Sequence, residues 1–362
     1  MHPPVDNRSD PDYRAKLAEI ARVAKAWQGP VVIVSHVDPD GDALGSCLGL
    51  KRALESLGKH VTIAMQPPRY LEFLVEPGEL VESLPSLPAD CLLFVLDVAA
   101  RSRVAGAPVD GAAYLVNIDH HGTNDRFGDA AVVQPAKAAT ALLITELVDE
   151  LGVEFTPRIA TPCLAGILTD TGNFRYGNTN REVLETAGYL IDKGVAYVDL
   201  TDRLQWRHPT YFRTLGKVMD TVHFELDGEL VIAHFTAAMR TGAGAADDDS
   251  DDFVGIIRYA EGVKIAVILK ERAREHGLAR EPMLAREQTG DVEVKVSVRT
   301  RGGVSAQAIC VELGGGGHVA AAGATVAGDL ATVEQKVVAA CARELARAAA
   351  GTSPTEPHSG AY

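Results

Sequence analysis

No stretch of this sequence approaches the roughly 18 uninterrupted apolar residues of a membrane-spanning helix. Its opening, MHPPVDNRSDPDYR, has neither the apolar core of a signal peptide nor the Arg-rich pattern of a transit peptide. A cytoplasmic location without a membrane partner is the expectation. Cysteine is sparse and unpatterned: five residues, at 47, 91, 163, 310 and 341, with no CxxC pair. That leaves no disulfide framework to read, and four of the five lie in apolar stretches, as buried thiols in a reducing compartment do. Positive charge is short as well. With 35 Lys and Arg against 49 Asp and Glu the net charge is -14, which argues against tight, non-specific binding to long duplexes, since that affinity comes mostly from many basic contacts to phosphate. Small anionic substrates remain open if positive charge is gathered locally.

What the chain has is length and apolar content. At about 100 to 200 residues per domain, 362 residues with 46% apolar content form two domains with full-sized cores. Residues 13–27 carry Leu17, Ile20, Val23 and Trp27 at helical spacing and predict an amphipathic opening helix. After it, VVIVS, HVTIAM, CLLFVLD (91–97) and AAYLVNID (112–119) are apolar runs without alternation, with helical patterns at 42–57 and 139–150. Such runs predict an α/β fold, a mostly parallel sheet buried on both faces and flanked by helices.

Thr179 and Glu182 have capping-box spacing ahead of an apolar stripe ending at Gly194. Residues 198–221 read as helical, and HFELDGELVIAHF follows, with Asp227-Gly228 as a hairpin signal. The expected boundaries are a first domain at 1–200, a helical linker at 201–222, a smaller α/β domain at 223–350 and a disordered tail at 351–362. Within the second domain the pattern predicts a helix near 252–260, strands at 263–269 and 292–299, and a closing helix over 329–349. The charged stretch 271–290 reads as an exposed excursion, and AADDDSDD (245–252) as a solvated loop with a helix cap rather than a cation site.

In an open parallel sheet, ligands bind outside the carboxyl ends of the strands. His36, Asp40 and Asp42 follow the first strand; Asp97 closes CLLFVLD; Asp119, His120 and His121 close AAYLVNID; Asp170 follows an apolar run in GILTDTGNF. Four segments thus deliver Asp or His to one edge. Gathering carboxylates costs several kcal/mol per unpaired charge unless cations neutralise them, and nothing basic is adjacent in these segments. A metal pair is the natural solution. Mixed carboxylate and imidazole ligands suit Mn2+, with Mg2+, Fe2+ or Co2+ as substitutes, and the absence of nearby thiolates argues against structural zinc. An EF-hand starting at Asp38 fails, because Ala43 stands where glycine is needed and Gly49 where the bidentate Glu belongs.

His36-x-x-x-Asp40-x-Asp42, Asp97, Asp119-His120-His121 and Thr169-Asp170-Thr171-Gly172 resemble the four motifs of the DHH phosphoesterase family, and GGGGHVAAAG (314–323) resembles the signature of its DHHA1 partner domain. The resemblance spans residues 15–345. It implies a DHH domain joined by a helical linker to a DHHA1 domain, an active site in the cleft between them, and a dinuclear Mn2+ centre that hydrolyses phosphoester bonds in small nucleotides. Carried over, it makes His36 and Asp40 ligands of one ion, Asp42, His120 and Asp170 ligands of the other, and Asp97 the bridge. Asp119 then orients a histidine, and His121 faces the scissile phosphate or supports the site. Two ions about 3.5 to 4 Å apart would hold a bridging hydroxide for in-line attack.

Gly314, Gly315, Gly316 and Gly317 before His318 have no side chains to block an anion, so their backbone N–H groups can close around phosphate. In KVSVRTR, Lys295, Ser297, Arg299 and Arg301 alternate along a strand and share one face, forming a basic wall. With the resemblance, Arg299 and His318 are the preferred substrate contacts. Val319-Ala320-Ala321 departs from the Lys-Asn-Ala usual after the signature histidine, and the 271–290 excursion is longer than the family pattern. The resemblance implies a phosphodiesterase acting on short oligonucleotides and dinucleotides: nanoRNA, pApA, cyclic di-AMP or cyclic di-GMP. It is closer to NrnA-like oligoribonucleases and cyclic-dinucleotide phosphodiesterases than to RecJ-type exonucleases, and a homodimer is compatible with it. The alternatives are a 3'-phosphoadenosine 5'-phosphate phosphatase and, of another class, a nucleotide sensor that binds without turnover.

Overall fold

The protein is described here from a computed structural model covering residues 11–244, 250, 252–273, 292–317 and 319–351. The chain divides into two compact units, Met1–Trp206 and Arg207–Tyr362. Most of the 245–252 and 271–290 stretches, residues 352–362 of the tail, and His318 lie outside the described residues.

The first unit opens with helix α1 (Tyr13–Ala26) and strand β1 (Val31–Val34), then α2 (Gly41–Ser56), β2 (Val61–Ala64), β3 (Leu80–Val81), β4 (Leu92–Leu96), β5 (Tyr114–Asp119) and β6 (Ala130–Val133). Four helices follow: α3 (Thr140–Glu150), α4 (Pro157–Asp170), α5 (Arg181–Asp192) and α6 (Tyr197–Gln205). The strands pair in the order β3-β2-β1-β4-β5-β6, all parallel, with Val31 opposite both Val61 and Leu92. One face carries Ile33, Ile63, Phe94 and Ile118 into a core closed by α1 to α4. The other carries Val32, Leu93 and Val95 under connecting segments that contribute Leu84, Val104 and Val109. Both faces are therefore dry, which is why the strands lack alternation.

One expectation for this unit changes. The capping box does not form: Asn180 caps α5 by accepting from the Val183 N–H, Thr179 Oγ1 is buried without a hydrogen-bond partner, and Glu182 pairs with Lys137 instead. Asn is among the best N-cap residues, and Asn180 takes that position. The apolar run before Asp170 is a helix, α4, which Asp170 closes.

The second unit comprises α7 (Pro209–Met219), β7 (His223–Glu225), β8 (Leu230–Phe235), α8 (Ala237–Ala243), α9 (Phe253–Ile257), β9 (Ile265–Ala273), β10 (Val292–Thr300), α10 (Ala306–Glu312), β11 (Gly316–Gly317), β12 (Ala321–Ala327) and α11 (Leu330–Ala349). Its sheet runs β11-β12-β10-β9-β8-β7, antiparallel except for the β8/β9 pair. Leu230, Val267 and Val296 face α10 and α11, while Val231, Ala266 and Ile268 face α7 and α9. The stretch 198–221 is two helices, α6 and α7, because Pro209 starts a new one at its first position. The Asp227-Gly228 hairpin forms with a wider connection, Glu225 pairing with Leu230 around a turn of 3-10 helix. Asp252 accepts from Arg207 and from the Tyr211 hydroxyl, and its side chain does not cap α9.

Candidate active site

The chain leaves β1 toward β2 on one side, while β4 pairs with β1 on the other, so the sheet's switch point lies between β1 and β4. That crevice is where open α/β sheets bind ligands. The β1–α2 turn places His36, Asp40 and Asp42 there, and the end of β4 places Asp97. Asp97 sits in the left-handed region, φ 61°, a conformation that costs a non-glycine residue about 1 kcal/mol or more and is retained where the surroundings fix it.

Close helix packing brings in the rest. A Cβ on Gly45 would lie 2.3 Å from the Pro162 carbonyl oxygen, and Gly41 and Gly49 are as tightly placed against Thr169 and Cys163. These three glycines, one helical turn apart, let α2 lie directly on α4, which carries Asp170 toward Asp42. Asp42 is fully buried, and its two oxygens accept from the Thr140 N–H at 2.5 Å and the Ala141 N–H at 2.8 Å. It thereby caps α3, whose own preceding residue, Ala139, cannot. Asp40 caps α2 through Oδ1, accepting from Asp42 N and Ala43 N.

Both ligand-type histidines face the carboxylates through Nε2. His36 Nδ1 lies 2.8 Å from the Val37 carbonyl and His120 Nδ1 3.2 Å from the Lys137 carbonyl, contacts that place the hydrogen on Nδ1 and leave Nε2 as the ligand atom. His36 Nε2 is 3.6 Å from Asp97 Oδ2. His120 Nε2 is 3.3 Å from Asp170 Oδ2, 3.6 Å from Asp97 Oδ1 and 4.0 Å from Asp42 Oδ2. Among the described residues three overlapping sets of ligand atoms at this edge each lie within 4.8 Å: His36, Asp40, Asp97; Asp42, His120, Asp170; and Asp97, His120, His121. His121 Nδ1 is also 3.6 Å from Asp97 Oδ1, but a nearer carboxylate engages it. Its Nδ1 is 2.7 Å from Asp119 Oδ1, while Asp119 Oδ2 accepts from Asn124.

The charges explain the clustering. Burial, then the charges of Asp97 and Asp40, push the Asp42 carboxyl well above its usual range despite two backbone donors. Asp170 rises for the same reasons, burial first and then Asp42, Asp40 and Asp97. Burial would raise Asp97 too, but the close approach of His36 and the charges of His120 and His121 hold it below the ordinary carboxylate range. Burial lowers His36 and His121, yet contacts with Asp97 and Asp119 respectively outweigh it and bring each to about 9. Negative charge is in excess at this edge, and the donor set fits divalent cations of the Mn2+ or Mg2+ type.

The profile described as "DHH family, N-terminal domain" matches residues 30–167, and that described as "DHHA1 domain" matches 230–347. The bifunctional oligoribonuclease and PAP phosphatase NrnA of Thermus thermophilus is 51% identical over 94% of this chain and 98% of its own length. The chain belongs to the DHH family. A cyclic-di-AMP phosphodiesterase of Listeria monocytogenes, PdeA, is 26% identical over 80% of this chain and 43% of its own. The crystal structure of an exopolyphosphatase-related protein from Bacteroides fragilis shares the fold, with TM-score 0.78, 22% identity, and coverage of 93% of this chain and 98% of that one.

In the second unit, Lys295, Ser297 and Arg299 share a half-buried face of β10, with Lys270 opposite Lys295 in register. Arg301 lies beyond the strand, and its guanidinium donates to the Val263 and Ala260 carbonyls, so it ties the sheet to the end of α9. The glycine run is not one open loop. Gly314 ends α10 with φ 82°, and Gly316 and Gly317 pair with Gly323 and Ala322. A Cβ on Gly315 would lie 2.2 Å from the Gly323 carbonyl oxygen, so glycine there also permits close approach to β12. Sequence reasoning missed Thr140, whose hydroxyl donates to Asp97 at 3.0 Å, and Asn124. Neither ionises, so a search for acids and imidazoles passes over them.

Proposed function

We propose that the chain is a Mn2+-dependent phosphodiesterase that hydrolyses short oligonucleotides and dinucleotides such as nanoRNA and pApA to mononucleotides, in the cytoplasm. The carrying observation is the convergence of six side chains into two ligand sets joined by Asp97. His36, Asp40 and Asp97 would hold one ion; Asp42, His120 and Asp170 would hold the other, with Asp97 shared. Two such ions supply charge stabilisation on the phosphoryl oxygens and a water acidic enough to attack at neutral pH.

The chain's residues do the rest. Thr140 and the α3 backbone fix Asp97 and Asp42. Asp119 locks the His121 ring, so that His121 offers a fixed donor to the phosphate or leaving oxygen. Lys295, Ser297 and Arg299 would supply cationic and hydroxyl contacts to phosphate from the second unit. Domain roles follow: chemistry in the first unit, substrate holding in the second.

The 51% identical relative's name joins oligoribonuclease and PAP phosphatase, which favours 3'-phosphoadenosine 5'-phosphate as a second substrate. The Listeria relative makes cyclic di-AMP a further candidate. A sensor has no use for a nucleophile-generating ion pair. The test is a panel of pApA, short RNA, phosphoadenosine phosphate, cyclic di-AMP and cyclic di-GMP with Mn2+ or Mg2+. Mononucleotide release from pApA with Mn2+ is expected; binding of every member without cleavage would overturn the proposal.

A further inference from the structure

A second group of metal-competent side chains lies in the second unit, made of residues with no task in the chemistry above. His223 is on β7 and His234 on β8, and Glu334 is in the second turn of α11. His223 pairs with Ile232 across the hairpin, and strand alternation puts His234 on the same face, toward α11. Glu334 Oε1 is 2.9 Å from His223 Nε2, and Oε2 is 2.5 Å from His234 Nε2. The ring centroids are 5.4 Å apart, and the three residues offer ligand atoms within 4.8 Å of one another.

The hydrogen bonds of His223 fix which ring nitrogen faces Glu334. His223 Nδ1 is 3.0 Å from the Thr221 carbonyl oxygen, which has no proton to give, so Nδ1 carries the hydrogen. In the neutral ring Nε2 is then a lone pair, and it points at a carboxylate oxygen. Two acceptors at 2.9 Å repel unless positive charge lies between them. A proton supplies that charge to one ring; a divalent cation supplies it to both rings and the carboxylate together.

We propose that His223, His234 and Glu334 bind a zinc-type divalent cation that ties the β7–β8 hairpin to α11. Two imidazoles and one carboxylate are a donor set of zinc and neighbouring transition ions, unlike the carboxylate-rich centre of the first unit. The carbonyl that holds His223 Nδ1 is the usual partner of a metal-bound imidazole. Around zinc at about 2.0 to 2.2 Å, ligand atoms stand roughly 3.3 Å apart, so each histidine opens from Glu334 by less than about an ångström. Side-chain exposures of 34%, 26% and 22% for His223, His234 and Glu334 leave a path for the ion and room for water as a fourth ligand.

The test uses the full chain and zinc chloride, with zinc per chain measured after dialysis. Asp97→Asn with Asp170→Asn first weakens the centre of the first unit. That background is expected to retain one zinc per chain and to lose it when His234→Gln or Glu334→Gln is added. Co2+ in place of zinc should give visible absorption that vanishes in the same variants. Glu334→Gln is the second variant should a histidine replacement unfold the hairpin, and circular dichroism separates loss of the site from loss of the fold. Equal zinc content with and without these substitutions, or no zinc retained by the background, would overturn the proposal and leave a protonated His–Glu pair.

Discussion

The two His-carboxylate clusters among the described residues are built on opposite plans. In the first unit the ligands stand where strands and helices end, the carboxylates outnumber the imidazoles, and Asp42 and Asp97 are buried. In the second, His223, His234 and Glu334 stand within two strands and a helix, imidazoles outnumber the carboxylate, and all three are half-exposed. A centre at chain ends is positioned by backbone topology and held by helix caps; one on the faces of regular elements is positioned by how those elements pack. The first plan places anions against the positive ends of α2 and α3, which suits harder cations and chemistry on phosphate. The second suits a borderline ion with a structural role.

The largest effect that sharpens this contrast is expected from Asp97→Ala. Turnover should fall by at least about a thousandfold, as removal of the proposed shared ligand implies, while the far-ultraviolet circular dichroism persists and zinc uptake at the proposed second site is unchanged. Retention of more than about a tenth of the rate would break the assignment of the shared ligand.

Next is Gly45→Ala. Its Cβ would meet the Pro162 carbonyl at 2.3 Å, in backbone that cannot yield cheaply, so the first unit should lose about 1 to 3 kcal/mol. As α2 leaves α4, Asp42 separates from Asp170, and Mn2+ affinity measured by calorimetry should drop with the melting temperature. An unchanged affinity would mean that α2–α4 packing does not set the ligand distances.

A pH series comes third. His36 and His121 are raised from 6.5 to about 9. In metal-free protein their contribution to stability is full below the unfolded value of about 6.5 and fades as pH climbs to about 9. With His36 as the proposed ligand, Mn2+ has to displace its proton, so affinity should rise up to about tenfold per pH unit across that window. A flat affinity profile would remove His36 from the ligand set.

The smallest effect is Arg299→Ala, expected to raise KM about tenfold with little change in kcat or in bound Mn2+. Loss of Mn2+ instead would show that β10 serves the metal rather than the substrate.

The parallel sheet was legible because β1, β4 and β5 are buried on both faces and write that burial as unbroken apolar runs. The convergence of acids and imidazoles in the first unit was legible because they stand at strand ends in short clusters, His36 to Asp42 and Asp119 to His121. The two-residue β3, β6, α8, α10 and β12 were not read, being too short or too rich in Ala and Gly to show a period. Thr179 and Glu182 had the spacing of a capping box, yet Asn180 offered a competing acceptor and Lys137 a stronger partner for Glu182. Arg301 alternates with Arg299 in sequence, but the strand ends at Thr300 and releases it to carbonyls elsewhere.

By itself, then, the sequence determined the fold class, the switch-point edge and the residue types available there, since local periodicity and strand-end position are properties of consecutive residues. Only tertiary packing decided that Gly41, Gly45 and Gly49 let two helices touch, that Asp42 caps a helix about a hundred residues away, and that Glu334 meets two histidines of a distant hairpin. Those outcomes depend on contacts between segments whose separation along the chain carries no periodic signal, so they become visible only when the elements are packed.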